Sequence, residues 1–270
     1  MILDLELNAA TTDWGLIRDT AQAAEVAGVG AVWVFDHLSG AVLRGDRMLE
    51  CFTLLGALAA STERIGVGAM VANVANRHPG VLAVAAASVQ AISNGRLLLG
   101  IGAGAAPGST WASEHAAIGL PLRADIADRH AAVDEALSLF DAMWSLDRDP
   151  SMEGFPRPRP RPPVIMGVSS ERLSVLAGRR CDGINVRSEH AHAAELLRTA
   201  AHARASLDPM STESRPWITT ASKFYEDGIL DPEHPERVRL AGLGVERLII
   251  VCMEPPPPEL FSDPCSWQPA

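Results

Sequence analysis

Three stretches of this chain share one grammar, and that grammar restricts the fold more than any other feature. Ala27-Gly28-Val29-Gly30 leads into Ala31-Val32-Trp33-Val34-Phe35. Ala177-Gly178 leads, through Arg179-Arg180-Cys181, into Asp182-Gly183-Ile184-Asn185-Val186. Ala241-Gly242-Leu243-Gly244 leads into Arg247-Leu248-Ile249-Ile250-Val251. Each reads as a helix stopped by a glycine that can take positive φ, a short connection, and a near-continuous apolar strand. Such strands belong to a parallel sheet covered by helices.

The same alternation extends along the chain. Strands are predicted near 2–8, 31–35, 65–71, 97–102, 163–167, 182–186, 215–223 and 247–252. Helices fall between them, the longest near 124–145 and 189–207. The first is capped by Thr12 or Asp13 and carries Trp14, Ile17, Ala21 and Ala24 at helical spacing. Eight strands separated by helices describe an α/β fold of the (β/α)8 TIM-barrel type, a single domain over residues 1–252. A chain of 270 residues, 47% hydrophobic, suits that architecture. Residues 253–270 form a proline-rich tail whose run Pro255-Pro256-Pro257-Pro258 leaves the last helix missing or reduced. A second proline run, Pro156 to Pro163, reads as an extended linker into strand five.

Charge and cysteine usage narrow the partners. Lysine plus arginine total 23 against 33 acids, a formal net charge of −10, which argues against nucleic acid and anionic membranes. Cys51, Cys181, Cys252 and Cys265 are scattered without metal spacing, so they read as reduced, in a cytoplasmic protein. The first residues include Asp4 and Glu6 and lack a basic leader region. The longest apolar stretch, Pro79 to Ile92, is too short to span a bilayer. Lys223 is the sole lysine, which with the wealth of alanine and proline points to a GC-rich genome.

Candidate chemistry lies at the strand C-termini, the face where barrels build their sites. Strand two runs straight into Asp36-His37, a carboxylate and an imidazole that are costly there unless used. The alternative is that Asp36 caps the next segment and His37 is a satisfied edge residue. Asn8, Ala69-Met70-Val71 with Asn73, and Gly102-Ala103-Gly104 follow at other strand ends. Gly167-Val168-Ser169-Ser170 opens a helix, so its amides and hydroxyls form either a phosphate cradle or an ordinary cap. Arg187, just past strand six, could complete an anion site. His190 and His192 point to different faces, and His115, His130, His202 and His234 read as helix-surface or loop residues. No metal set is evident.

Taken together, several segments resemble the luciferase-like monooxygenase superfamily. They are A-E-V-A-G-V-G-A-V-W-V-F-D-H-L at 24–38, T-E-R-I-G-V-G at 62–68, R-H-P at 77–79, and S-N-G-R-L-L-L-G-I-G-A-G at 93–104. R-P-P-V-I-M-G at 161–167 and C-D-G at 181–183 complete the set. The resemblance implies a barrel with a flavin or deazaflavin ring bound at the strand C-termini. It places Asp36 and His37 as catalytic residues near the reactive centre, with Asp36 setting the position of His37. It assigns Ala69, Met70, Val71, Asn73, Gly102, Ala103, Gly104, Gly167, Val168, Ser169, Ser170 and Arg187 to cofactor binding. Met70-Val71 matches a segment that often holds a non-prolyl cis peptide.

Two departures stand out. Ala105 occupies the place of a glutamate in some deazaflavin-dependent relatives, so that acid is not expected here, and Val168 replaces a common glycine. The implied function is hydride transfer between coenzyme F420 and a small organic substrate. FMN with monooxygenase or reductase chemistry is the alternative, and a cofactor-free binding or structural barrel is a third. The tail predicts exposed apolar surface on strands one and eight, and hence a homodimer or higher oligomer.

Overall fold

The computed structural model describes residues 1–208, 215–262 and 267. Eight parallel strands close into a barrel in chain order, and the eighth returns to pair with the first. The TIM-barrel expectation therefore holds. β1 (Ile2–Leu7) is followed by α1 (Trp14–Ala27), β2 (Ala31–Val34) by α2 (Cys51–Ser61), and β3 (Gly66–Asn73) by α3 (Pro79–Ile92). β4 (Leu97–Gly102) leads into two helices, the short α4 (Ser113–Ile118) and the long α5 (Ile126–Trp144). Then come β5 (Val164–Gly167), α6 (Glu171–Arg180), β6 (Gly183–Arg187) and α7 (Ala193–Ala205). β7 (Ile218–Phe224), α8 (Pro235–Gly242) and β8 (Arg247–Cys252) complete the circuit. β7 begins at Ile218 rather than 215, because Pro216 has no N–H to give a parallel ladder.

Local signals explain most element ends. Asp13 accepts from the amide of Leu16 at 3.0 Å and starts α1, and Gly28, at φ 88°, stops it. The reading of Gly178 as a similar stop is corrected. α6 runs through it to Arg180, and a Cβ at 178 would lie 2.2 Å from the carbonyl oxygen of Ala200. That glycine lets α6 and α7 meet backbone to backbone.

Side chains alternate across the barrel wall. Leu3, Leu5 and Leu7 join Val32, Leu97, Leu99, Ile184, Leu248 and others in the core between strands and helices. Each such side chain contributes about 1.5–3 kcal/mol when fully buried. Inside the barrel, Ala31, Trp33, Met70, Ile165 and Ile249 form a second cluster. The inward positions of β1 are Asp4 and Glu6. Asp4 accepts from Trp33 Nε1 at 3.0 Å and from Arg247 Nε and Nη2 at 2.9 and 2.7 Å.

After β8 no helix forms among the described residues, as expected. Instead a single 3-10 turn, Pro258–Phe261, packs beside α1. Trp267 is fully buried, stacks on Phe261 with centroids 5.8 Å apart, and donates to the carbonyl of Leu260 at 2.8 Å. The expectation of exposed apolar surface on β1 and β8 is corrected, because Leu3 to Leu7 and Leu248 to Cys252 are all buried. With both strands buried within the chain, the argument for a dimer from that surface falls away. Cys51, Cys181 and Cys252 are buried free thiols, while Cys265 lies outside the described residues. Among the described residues no helix is long and apolar enough to cross a membrane.

Candidate active site

Asp36 and His37, just past β2, go to different partners. Asp36 is buried and takes a two-pronged contact from Arg77, with Nη2 to Oδ1 at 2.6 Å and Nη1 to Oδ2 at 2.7 Å. Its Oδ2 also accepts from the amide of Asn73 at 2.8 Å, and its carbonyl accepts from Asn76 Nδ2 at 2.6 Å. Burial pushes the Asp36 carboxyl up from its ordinary range, against the pull of the Arg77 guanidinium. Asp36 therefore ties the end of β2 to the end of β3. No contact joins it to the His37 ring, which corrects the expectation that it sets that ring's position.

The partner of His37 is Glu114, on α4. Glu114 Oε1 lies 2.9 Å from His37 Nδ1, and Oε2 accepts from the amides of Leu38 and Ser39 at 2.8 and 2.9 Å. All three partners are donors, so His37 carries its proton on Nδ1 in the neutral state and keeps a lone pair on Nε2. The side chain of Glu114 is 2% exposed and that of His37 is 21% exposed, so only the imidazole reaches the mouth. The ring is flanked by Trp111 at 5.5 Å and Phe35 at 6.3 Å between centroids. An acid thus does stand beside His37, supplied by α4 rather than by position 105. The next residue, His115, is buried rather than on a surface and places Nε2 2.8 Å from Asn76 Oδ1. His130 is likewise buried, on α5.

Several predicted cofactor residues come together across the barrel. The Met70-Val71 peptide is cis, and the β3–β4 register shifts between Ala69 and Ala72. Val71 fills the space above two glycines. A Cβ on Gly102 would lie 2.5 Å from Val71 Cγ2, and one on Gly167 would lie 2.9 Å from Val71 Cγ1. Gly104, at φ 73°, packs on Asn73, whose Oδ1 would be 2.4 Å from an added Cβ. Met70, Val71 and Gly104 are left as an apolar shelf at the strand ends, while Ala103 packs half-buried against the core between barrel and helices. Ala69 does not join it, because it is fully buried in the core between barrel and helices, and the Val168 side chain belongs to that core too.

The turn after β5 leads directly into α6. Val168 donates to the carbonyl of Asn185 at 2.9 Å, which fixes the turn against β6. Ser170 caps α6 by accepting from Leu173 N at 3.4 Å, so its hydroxyl does the ordinary capping job. Ser169 is exposed, and the amides of 169–172 stand at the positive end of α6. Arg187, two residues beyond Asn185, is exposed, with its guanidinium carbon 5.9 Å from the Phe224 ring centroid.

Sequence reading missed Glu114, Arg77, Trp111 and Glu6. Arg77 lies in a loop and Glu114 on the short α4, and their partners are distant in sequence, so no local spacing marks them. Glu6 had a signal, since Leu3-Asp4-Leu5-Glu6-Leu7 alternates and puts both acids on one face. Glu6 is 1% exposed, and its Oε1 has no hydrogen-bond partner. Burial drives its carboxyl well above the ordinary range. Among the described residues, no cluster of three or more His, Cys, Asp or Glu side chains is arranged to hold a metal.

A closed parallel barrel with an imidazole, an apolar shelf and a helix start at its strand C-termini has the general plan of a cofactor-binding barrel. The chain belongs to the luciferase-like monooxygenase family, whose model matches residues 3–220. Among curated proteins it is 34% identical over 171 residues to the F420-dependent glucose-6-phosphate dehydrogenase of Beutenbergia cavernae, covering 59% of this chain and 48% of that one. It is 28% identical over 232 residues to the phthiodiolone/phenolphthiodiolone dimycocerosates ketoreductase of Mycobacterium kansasii, covering 73% and 60%. The chain spans about half the length of the glucose-6-phosphate dehydrogenases it matches. Among solved structures, an F420-dependent secondary alcohol dehydrogenase in complex with an F420-acetone adduct superposes with a TM-score of 0.75 at 15% identity, over 98% of both chains. The coenzyme F420 dependent tetrahydromethanopterin reductase from Methanopyrus kandleri gives 0.65 at 15%, over 98% of this chain and 97% of that one. Likenesses at that identity establish the fold.

Proposed function

We propose that the chain binds coenzyme F420 across the barrel mouth and passes a hydride between it and a small organic alcohol or carbonyl compound. His37 is the observation that carries this reading. Glu114 commits its Nδ1–H, so Nε2 is left with a lone pair at the same end of the barrel as the shelf of Met70, Val71 and Gly104. The residues fit a ring with an anionic arm. The shelf offers small apolar contacts to a flat ring, and the α6 amides with Arg187 offer donors to a phosphate in a protein that otherwise repels anions.

When bound, the deazaflavin supplies a two-electron acceptor or donor of hydride. An alcohol carbon that yields its hydrogen with two electrons also sheds its hydroxyl proton and becomes a carbonyl. His37 Nε2 is the group placed to take that proton, and Glu114 then faces the imidazolium. In the opposite direction the imidazolium returns the proton to the carbonyl oxygen. The curated relatives support the cofactor, being named for F420-dependent dehydrogenation or for ketone reduction. Buried free thiols at Cys51, Cys181 and Cys252 suit a reducing, cytoplasmic setting.

Titration with F420 and, separately, with FMN tests the reading. Saturable binding of F420, followed by its own fluorescence and at least about tenfold tighter than FMN, is the expected result. Ser169→Asp should weaken it by at least about tenfold, because a carboxylate would stand where the phosphate sits. Tighter binding of FMN would make this a flavoprotein. Binding of neither would leave a barrel that serves without a cofactor.

A further inference from the structure

The same end of the barrel holds a second feature, on the side away from β3 and β4. A cavity of about 280 Å³ opens between the ends of β7 and β8 and the proline tail. Its size lies near the lower end of small-molecule pockets, about 300 Å³. Phe224, Tyr225 and Val251 form one wall and Pro255, Pro256 and Pro257 the other. The tail is fastened there, because the carbonyl of Met253 accepts from Asn8 Nδ2 and from Thr11 Oγ1, both at 3.0 Å. Phe224 and Tyr225 are 46% and 38% exposed, which is unusual for two neighbouring aromatics with an apolar wall beside them.

The charge around this cavity is decisive. Among its described lining residues none is a cation, and the only charged one is Glu254. Lys223, the adjacent lysine, is held by Glu189 at 3.6 Å and Glu226 at 3.3 Å. Arg187 lies over the Phe224 ring at 5.9 Å and is not among the residues that line the cavity. On the opposite side of the mouth, a cavity of about 390 Å³ beside Ala103 does include arginines. Arg123 there pairs with Glu135 at 2.7 Å, while Arg129 donates to the carbonyl of Ala124 at 2.8 Å and keeps its charge, so that cavity suits an anion better than this one does. The lining of the β7–β8 cavity presents no cation to a phosphorylated substrate, and its wall offers few groups to a polyhydroxylated one.

We infer that the cavity between β7, β8 and the tail is the substrate pocket, and that it takes an uncharged, largely apolar carbinol or its ketone. A single polar function on the ligand would face the mouth, where His37 lies two strands round the barrel, while an alkyl or aryl group packs on Phe224, Tyr225 and the prolines. The assignment of this pocket to the substrate rests on the F420 reading, but its ligand class rests on the wall alone.

Tyr225 is the only tyrosine of the chain, so ring-labelled tyrosine gives a single nuclear magnetic resonance signal from the pocket. The probes are phenyl methyl carbinol, its ketone acetophenone, and a hexose phosphate, each titrated into the full chain without cofactor. A saturable shift with the first two and none with the sugar phosphate at equal concentration is expected. Phe224→Ala should weaken the carbinol about five- to twentyfold, and its half-exposed position keeps the fold intact, as an unchanged Tm would show. An equal or stronger response to the hexose phosphate overturns the inference. So does the absence of any saturable shift with the uncharged probes, or an unchanged affinity in the folded Phe224→Ala protein. F420 fluorescence is read separately, so loss of cofactor binding with the Tyr225 shift retained counts against the cofactor and not against the pocket's ligand class.

Discussion

The two ends of the barrel interior treat polar groups in opposite ways. At the N-terminal end, Asp4, Trp33 and Arg247 use one another, and Asp4 receives three donors on two oxygens. At the C-terminal end, polar groups from the buried Glu6 to the part-exposed His37 carry unused capacity. Glu6 has no partner on Oε1, His37 keeps a free Nε2, and the first amides of α6 have only the mouth to face. Buried polar atoms without partners cost stability, so a chain that satisfies them fully at one end and not at the other marks the open end for a ligand. Pairing closes the lower layer into structure, and restraint from pairing keeps the upper layer available.

The sharpest way to break that contrast is His37→Ala. If the upper layer serves chemistry, turnover of any accepted substrate should fall roughly 10²–10⁴-fold while Tm stays nearly unchanged. Glu114→Gln tests the positioning of the same ring. The amide keeps one acceptor oxygen but turns an NH2 group toward either His37 Nδ1 or the Leu38 and Ser39 amides together, so the pH–rate profile should move while F420 affinity holds. Unaltered turnover in His37→Ala would place the proton acceptor elsewhere.

At the lower end the largest effect should appear in stability instead. Asp4→Ala leaves the Arg247 guanidinium and the Trp33 indole without their acceptor inside the barrel. Breaking a buried pair from one side costs about 3–5 kcal/mol. At about 2–4 °C per kcal/mol for a chain of this size, thermal unfolding should show a drop of roughly 6–20 °C. Whatever protein remains folded should bind F420 with unchanged affinity. A large loss of cofactor affinity at a small stability cost would mean that the two ends are not separate in function.

Much of this was legible in the chain, and what was not has identifiable causes. The eight strands, their order and the mouth residues follow from apolar runs, glycines and strand ends, all of which are local. Gly178 misled because a glycine at a helix–helix contact and one at a helix stop look alike until the partner helix is in place. The tail misled because a 3-10 turn and a buried Trp267 can pack on the barrel's core without helical periodicity. His115 reads as a surface residue on a six-residue helix and is buried only because that helix lies across the loops after β2 and β3. The Glu114–His37 contact spans 77 residues, and the Arg77–Asp36 contact spans 41. Pairs of that range are set by barrel closure, and one sequence carries no trace of them.

The smallest expected effect concerns Glu6, and it tests the open layer without touching chemistry. Burial raises the Glu6 carboxyl in the folded protein, so the folded state keeps a proton that the unfolded chain releases near pH 4.3, the ordinary value for glutamate, to within about half a unit. Above that pH the unfolded state binds fewer protons than the native one, and stability falls as pH rises until the native carboxyl ionises. Glu6→Gln holds the shape of the protonated acid and cannot titrate. Its Tm should match the parent near pH 4 and exceed it by a few degrees at pH 8, with the gap opening steadily between. Glu6→Met removes the unpartnered polar atoms as well, so it should gain at both pH values. A constant Tm difference between Glu6→Gln and the parent across this range would show that Glu6 ionises freely in the fold. The upper layer would then be as fully satisfied as the Asp4 layer beneath it.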